Sequence, residues 1–280
     1  MLVNLIYKFT FFIILLFIPA HALALNISVT PETVSPGDLF LVQARVHHSK
    51  SANAEFQGST IKMHPSDHGQ HIAFVPVDVN TAPGNYKVTV NNGKKDLVAI
   101  IKIESKEFKT INLTLPEGKV TLSPENQQRA NGEAMLLKKI WPVNNDKGWN
   151  GSFSKPLSTE TSTKFGVKRI MNKKKTSVHR GMDFRGKEGT PVRSLNAGTV
   201  ILNQDLFYGG NTVIVDHGMS LYSVYMHLSK FKAAKGDKVV KGQTVGHVGM
   251  SGRATGPHLH LSVKLNGISV NPESLFKLEL

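Results

Sequence analysis

From Asn26 to Ser105 apolar and polar residues alternate in short runs. Leu39-Phe40-Leu41-Val42-Gln43-Ala44-Arg45-Val46 has period-two character, as do Ile72 to Val77, Tyr86 to Val90 and Leu97 to Ile103. Between them stand Ser35-Pro36-Gly37-Asp38, Ala82-Pro83-Gly84-Asn85 and Asn91-Asn92-Gly93. Alternation puts every second side chain on one face of a strand, and Pro-Gly and Asn-Gly pairs mark the turns. The stretch predicts a small immunoglobulin-like β-sandwich. In the next segment Ser123-Pro124-Glu125 has the form of a helix start, with proline at the first helical position. Glu133 to Trp141 is the one good helical stretch, read as a brace across both neighbours or, alternatively, a mobile linker. From Gly148 onward glycine punctuates β-branched runs such as Thr199-Val200-Ile201 and Thr212-Val213-Ile214-Val215. That pattern predicts a compact all-β unit without a helical period. The expected protein is mainly β: residues 25–105 a sandwich, 106–146 a connector with one helix, and 147–280 a second β domain.

The first 24 residues stand apart. One cation, Lys8, precedes the apolar run Phe9 to Ile18, and Ala22-Leu23-Ala24 supplies the small residues of a cleavage site. This predicts a secretory signal cut before Leu25. An uncleaved anchor is the alternative, but Phe9 to Ala24 is interrupted by Pro19 and His21 and falls short of the roughly 20 residues a bilayer span needs. The chain is therefore expected in the periplasm or elsewhere in the cell envelope, with secretion as second choice and no integral span after cleavage.

Composition narrows the chemistry. The chain has no cysteine, which excludes disulfides, thiolate metal sites, a cysteine nucleophile and a lipidated cysteine. Its net charge is +14. Residues 25–105 hold 7 basic and 7 acidic side chains, whereas residues 106–280 hold 26 and 13. An excess confined to one half suggests an anionic partner, such as a wall polymer or an envelope surface. Export makes nucleic acid the weakest candidate. The densest run, Lys168, Arg169, Lys173, Lys174 and Lys175, reads first as a solvated loop.

Candidate ligands lie in three places. His258-Leu259-His260 continues into Leu261-Ser262-Val263-Lys264, and in a strand both imidazoles share one face. His179-Arg180-Gly181-Met182-Asp183 brackets a glycine whose freedom would let imidazole and carboxylate close on one ion. His and Asp are both zinc ligands, and three of them leave a fourth position open, as catalytic zinc requires. Tyr225-Met226-His227 ends an apolar run, where its imidazole either faces the cleft or is a satisfied core histidine. His64, His68 and His71 have metal-ligand spacing only in a helix, and Pro65, Ser66 and Gly69 argue for a loop.

Taken together these segments resemble the lysostaphin-type (LytM family) zinc metallopeptidases. The resemblance runs from Phe165-Gly166 to Asn271-Pro272 and includes His179-Arg-Gly-Met-Asp183, Gly189-Thr-Pro-Val192, Gly210-Asn-Thr-Val-Ile-Val-Asp-His-Gly218, Tyr225-Met-His227-Leu-Ser229 and Gly249-Met-Ser-Gly252-Arg-Ala-Thr-Gly-Pro-His258-Leu-His260. It implies a Zn²⁺ held by His179, Asp183 and His260, with His258 and His227 as catalytic histidines. His258 would act as general base and His227 would stabilise the oxyanion. His217 and His247 match no catalytic position. The implied activity is endopeptidase hydrolysis of stem peptides or cross-links in peptidoglycan, with glycine bridges as the competing substrate. The alternative is an inactive wall-binding scaffold that activates other hydrolases, a role taken by relatives that have lost ligands.

Overall fold

The computed structural model describes residues 27–46, 52–66, 69–91, 95–114 and 121–280. The expected signal, residues 1–24, lies outside these, as does His68. The N-terminal part contains β1 (Ile27–Thr30), β2 (Thr33–Val34), β3 (Leu39–Ala44), β4 (Ala52–Phe56), β5 (Ser59–Pro65), β6 (His71–Pro76), β7 (Gly84–Asn91) and β8 (Asp96–Ile103). They pair in the order β1–β3–β6–β5–β4–β7–β8–β2 around a core that includes Phe40, Phe56, Met63, Val75, Val88 and Ile101. β7 and β8 alternate buried and exposed positions much as their sequence predicts. β3 and β6 do not: almost every residue in them is buried. The reason is a second partner. Leu39, Leu41, Ile72 and Phe74, outside the core just described, pack with Trp149, Phe153 and Phe165 of the C-terminal part.

Between the two parts lie β9 (Thr110–Leu113) and α1 (Pro124–Ile140). The helix joins the expected start and the expected helical stretch into one element. Ser123 caps it by accepting from the Asn126 N–H, Pro124 opens it, and Gly132 is carried in its interior. It does not brace both neighbours as expected. Leu137, Ile140 and Trp141 pack on Leu202, Leu206, Ile214, Tyr222 and Val224 of the C-terminal sheet. Arg129 bridges Glu133 and Asp205, and Glu133 accepts from the Phe207 N–H. A link to the N-terminal part comes just after the helix, where Asn144 meets His64 and Trp149 meets Phe74.

The C-terminal part contains β10 (Thr161–Thr163), β11 (Lys168–Met171), β12 (Lys175–Val178), β13 (Met182–Arg185), β14 (Pro191–Arg193), β15 (Gly198–Leu206), β16 (Gly210–Asp216), β17 (Leu221–Phe231), β18 (Lys238–Val239), β19 (Thr244–Val248), β20 (His258–Leu265), β21 (Ile268–Val270) and the short α2 (Pro272–Phe276). The main sheet runs β10–β13–β20–β17–β16–β15–β18. Its packed side is apolar: Phe184, Tyr225, Leu259, Leu261 and Val263 are fully buried. The opposite side carries polar residues at every second position of β20. The basic run is not a loop but a hairpin, β11 with β12, turned by Asn172 and Lys173 at positive φ. β9 joins that hairpin in parallel, a strand the connector's sequence did not announce.

Candidate metal centre and its groove

β20 pairs with β13 so that Asp183 stands opposite His260 and Arg185 opposite His258. Cross-strand neighbours have Cβ atoms about 5 Å apart, so register alone brings the Asp183 carboxylate to the imidazole. His179 precedes β13 and closes the group. His179 Nε2 and His260 Nδ1 lie 3.0 and 2.8 Å from Asp183 Oδ1, and 3.0 Å from each other. Gly181 is needed for space rather than for the turn freedom expected of it. A Cβ there would stand 2.5 Å from the His260 Nε2 and from the Leu261 carbonyl oxygen.

Proton accounting shows what the three atoms present to one another. His179 Nδ1 lies 2.9 Å from the Lys164 carbonyl, which can only accept, so the ring proton is there and Nε2 bears a lone pair. The Ser262 hydroxyl gives its hydrogen to the Arg180 carbonyl and sits 3.0 Å from His260 Nε2, so it accepts from that nitrogen. His260 Nδ1 is left as a lone pair. Two imidazole lone pairs and a carboxylate oxygen thus converge with no proton among them, an arrangement that a cation relieves. Two nitrogens and one carboxylate oxygen, each oriented by an outer hydrogen bond, are a donor set suited to zinc. The Asp183 carboxylate is itself buried. Its second oxygen faces Arg169 Nη2 at 3.6 Å.

His227 does not end its strand as the sequence suggested. It lies inside β17 where the register with β16 shifts, and its φ is 63°. A bulge with a left-handed residue re-aims a side chain, here toward His258, whose ring centre is 4.8 Å away. The His227 N–H donates to the Gly209 carbonyl, and its Nδ1 proton goes to Ser251. A Cβ on Gly210 would strike the backbone of Ser251 at 2.3 Å, so this wall also depends on glycine. Burial pushes the His227 imidazole down to about 4. The neutral ring therefore turns a lone pair to the groove, not the donor that an oxyanion role needs at the outset. His258 is held likewise, Nδ1 to the Gly256 carbonyl, with Nε2 3.9 Å from Asp183 Oδ1.

The structure thus gathers all five expected residues. His217 lies elsewhere in the core, bonded to Ala197 and Ser223. His64 faces Asn144 rather than the metal-capable group. Ser262 and Arg169 were missed by sequence reasoning. Ser262 was within reach of it, since it sits two residues past His260 on the same strand face.

The comparisons with known proteins agree with this geometry. A family model described as peptidase family M23 matches residues 177–272. The peptidoglycan DD-endopeptidase ShyA of Vibrio cholerae serotype O1 is 42% identical over 98 residues, 35% of this chain and 23% of that one. The DD-carboxypeptidase/endopeptidase Mpg of Neisseria meningitidis serogroup B is 37% identical over 117 residues, 42% of this chain and 27% of that one. The chain therefore matches only about a quarter of the length of these curated relatives. A crystal structure from Pseudomonas aeruginosa, determined as a candidate M23 peptidase, superposes with a TM-score of 0.67 at 28% identity, covering 86% of this chain and 94% of that one. With His179, Asp183 and His260 assembled on β13 and β20 inside the matched segment, the C-terminal part of this chain is a domain of peptidase family M23, of the LytM type.

Proposed function

We propose that the protein is a zinc-dependent endopeptidase that hydrolyses peptide bonds in bacterial peptidoglycan. The observation that carries this reading is the convergence of three proton-free donor atoms from His179, Asp183 and His260. The names of the similar proteins supply the substrate class. Bound zinc would supply Lewis acidity, making hydroxide available from water near neutral pH. The chain's own residues do the rest. His258 Nε2 takes the proton from the attacking water and returns it to the leaving amine, with Nδ1 anchored on Gly256 throughout. His227 Nε2 accepts a hydrogen bond from the same water, and becomes a donor to the carbonyl oxygen when that water's second proton passes to it.

The N-terminal part is proposed to be an immunoglobulin-like sandwich, residues 25–105. The series β1–β3–β6–β5 and β4–β7–β8–β2, joined through the β4–β5 hairpin, supports that topology. Among the described residues no helix is long and apolar enough to cross a membrane. The proposed setting is the cell envelope, after loss of residues 1–24. The test combines metal analysis with release of peptides from purified sacculi. One zinc per chain and loss of hydrolysis after exhaustive chelation are expected; full activity after chelation overturns the proposal.

A further inference from the structure

His179, Asp183 and His260 line a groove of about 1600 Å³ that is lined also by Leu137 of α1, Trp141 just past it, Lys264 and Ser269. Period two along β20 sets His258, His260, Ser262 and Lys264 in a row on the groove face. From His260 to Lys264 that row covers about 13 Å, at roughly 3.3 Å per residue. Among the described groove-lining residues the one carboxylate is Asp183, a metal-site residue. Arg169, Arg180, Arg185, Lys187, Arg253 and Lys264 line the same groove.

Lys264 is the cation that a structural role explains least. Its ammonium lies 5.7 Å from the Trp141 ring centre, near the limit of a cation–π contact. Among the described residues it has no hydrogen-bond acceptor. Arg180 adds a like charge nearby, and burial with that charge pushes the Lys264 ammonium below its ordinary value. Directly opposite Lys264 on β21 is Ser269, a groove-lining residue 2% exposed, whose buried hydroxyl has no hydrogen-bond partner among the described residues. A half-buried ammonium and an unpartnered buried hydroxyl at one register position are donors without an acceptor, and the exposed Arg180 adds positive charge beside them. Such an arrangement costs free energy until an anion is supplied.

We infer that Lys264, Arg180 and Ser269 form a subsite for a carboxylate of the peptide substrate, three to four residues from the scissile bond. The inference rests on the peptidase reading above and deepens it. A peptide laid extended along β20 from the metal centre brings its third or fourth residue over Lys264. The ammonium then makes a charge-assisted hydrogen bond in a partly desolvated place, where it counts most. A neutral bridge made only of glycine offers no group for this subsite, so the groove selects a stem peptide that carries carboxylates.

The test is calorimetric binding of peptide isolated from peptidoglycan to the full chain, with the peptide's carboxylates either free or converted to carboxamides. Amidation is expected to weaken binding to the native protein by roughly 10–100-fold, the range for a hydrogen bond to a charged group. In Lys264→Met most of that difference should vanish. Ser269→Ala, which removes one hydroxyl and little volume, should reduce it several-fold and carries the test should Lys264→Met fail to fold. Equal binding of the two peptides by the native protein, no binding of either, or an undiminished difference in both variants overturns the subsite. Hydrolysis of the same peptide is followed separately. Its absence, with the amidation difference intact, overturns the peptidase reading and not the subsite.

Discussion

The N-terminal part and the peptidase domain are both β structures with apolar cores, yet they treat polar groups differently. In the described part of β1–β8 the one polar residue buried as a whole is His64, which leans on Asn144, and His71 adds two buried ring nitrogens without a partner. The peptidase domain buries His179, Asp183, His217, His227, Ser262 and Ser269 among others. Burying such groups costs free energy unless they are bonded or paired, so a fold that concentrates them on one sheet has a use for them. The difference separates a scaffold from a site without reference to any known protein. Within the peptidase domain it separates further. His217 has both nitrogens bonded inside the core, as a structural residue does; His227 and His258, each with one nitrogen bonded and the other turned to the groove, are the ones to which the proposal assigns chemistry.

The most severe way to probe that division is to remove a donor atom from the metal centre. His260→Ala leaves two protein ligands, and zinc content and hydrolysis should fall together. The loss should exceed the 10–100-fold typical of removing an outer hydrogen-bond partner. His258→Ala and His227→Ala remove no ligand. Zinc should remain bound while turnover drops by roughly 10²–10⁴, as for a lost general acid–base group. Elemental analysis beside a hydrolysis assay reads both on one sample. If His258→Ala loses its zinc and His260→Ala keeps it, the roles within the pair are reversed.

A smaller effect tests His217 as structure. Burial pushes its imidazole down to about 4, against 6.5 in the unfolded chain. The unfolded state therefore binds the extra proton between those values, and stability present above about pH 6.5 is lost as pH falls towards 4. The full loss should be on the order of 3 kcal/mol, of which about 2 kcal/mol falls between pH 7 and pH 5. Denaturant unfolding of chelator-treated protein at pH 7 and pH 5 measures it, and His217→Gln should flatten the slope. An unchanged slope in that variant would remove His217 from the account.

The smallest expected effect concerns the charge asymmetry between the two domains. The exposed Lys173, Lys174 and Lys175 sit on the peptidase side, and their attraction to a polyanionic wall is screened over about 8 Å at physiological salt. Binding to sacculi should weaken as salt rises, and neutralising the three lysines should flatten that dependence by a few-fold. A salt-independent curve for the native protein contradicts the electrostatic account.

Much of this was legible in the residues themselves. Period two in His258-Leu259-His260 already put both imidazoles on one strand face, and His179 and Asp183, four residues apart, were the other candidate ligands. Strand identity, turn positions and the basic half follow from propensity and composition, which act locally and need no fold. Other features depended on segments far apart in the chain. The full burial of β3 and β6 comes from Trp149 and Phe165, and β9 is a strand only because β11 lies beside it. Which nitrogen of each histidine carries its proton was set by the carbonyls of Lys164, Ser251 and Gly256 and by the hydroxyl of Ser262. A backbone carbonyl is the same group at every residue, so no sequence pattern marks which one will face an imidazole. His227 was re-aimed by a bulge, and Lys264 met Ser269 through the β20–β21 register. Periodicity is a property of neighbours and can be read from them; hydrogen-bond partners, tautomers and unpaired buried donors belong to the packed whole.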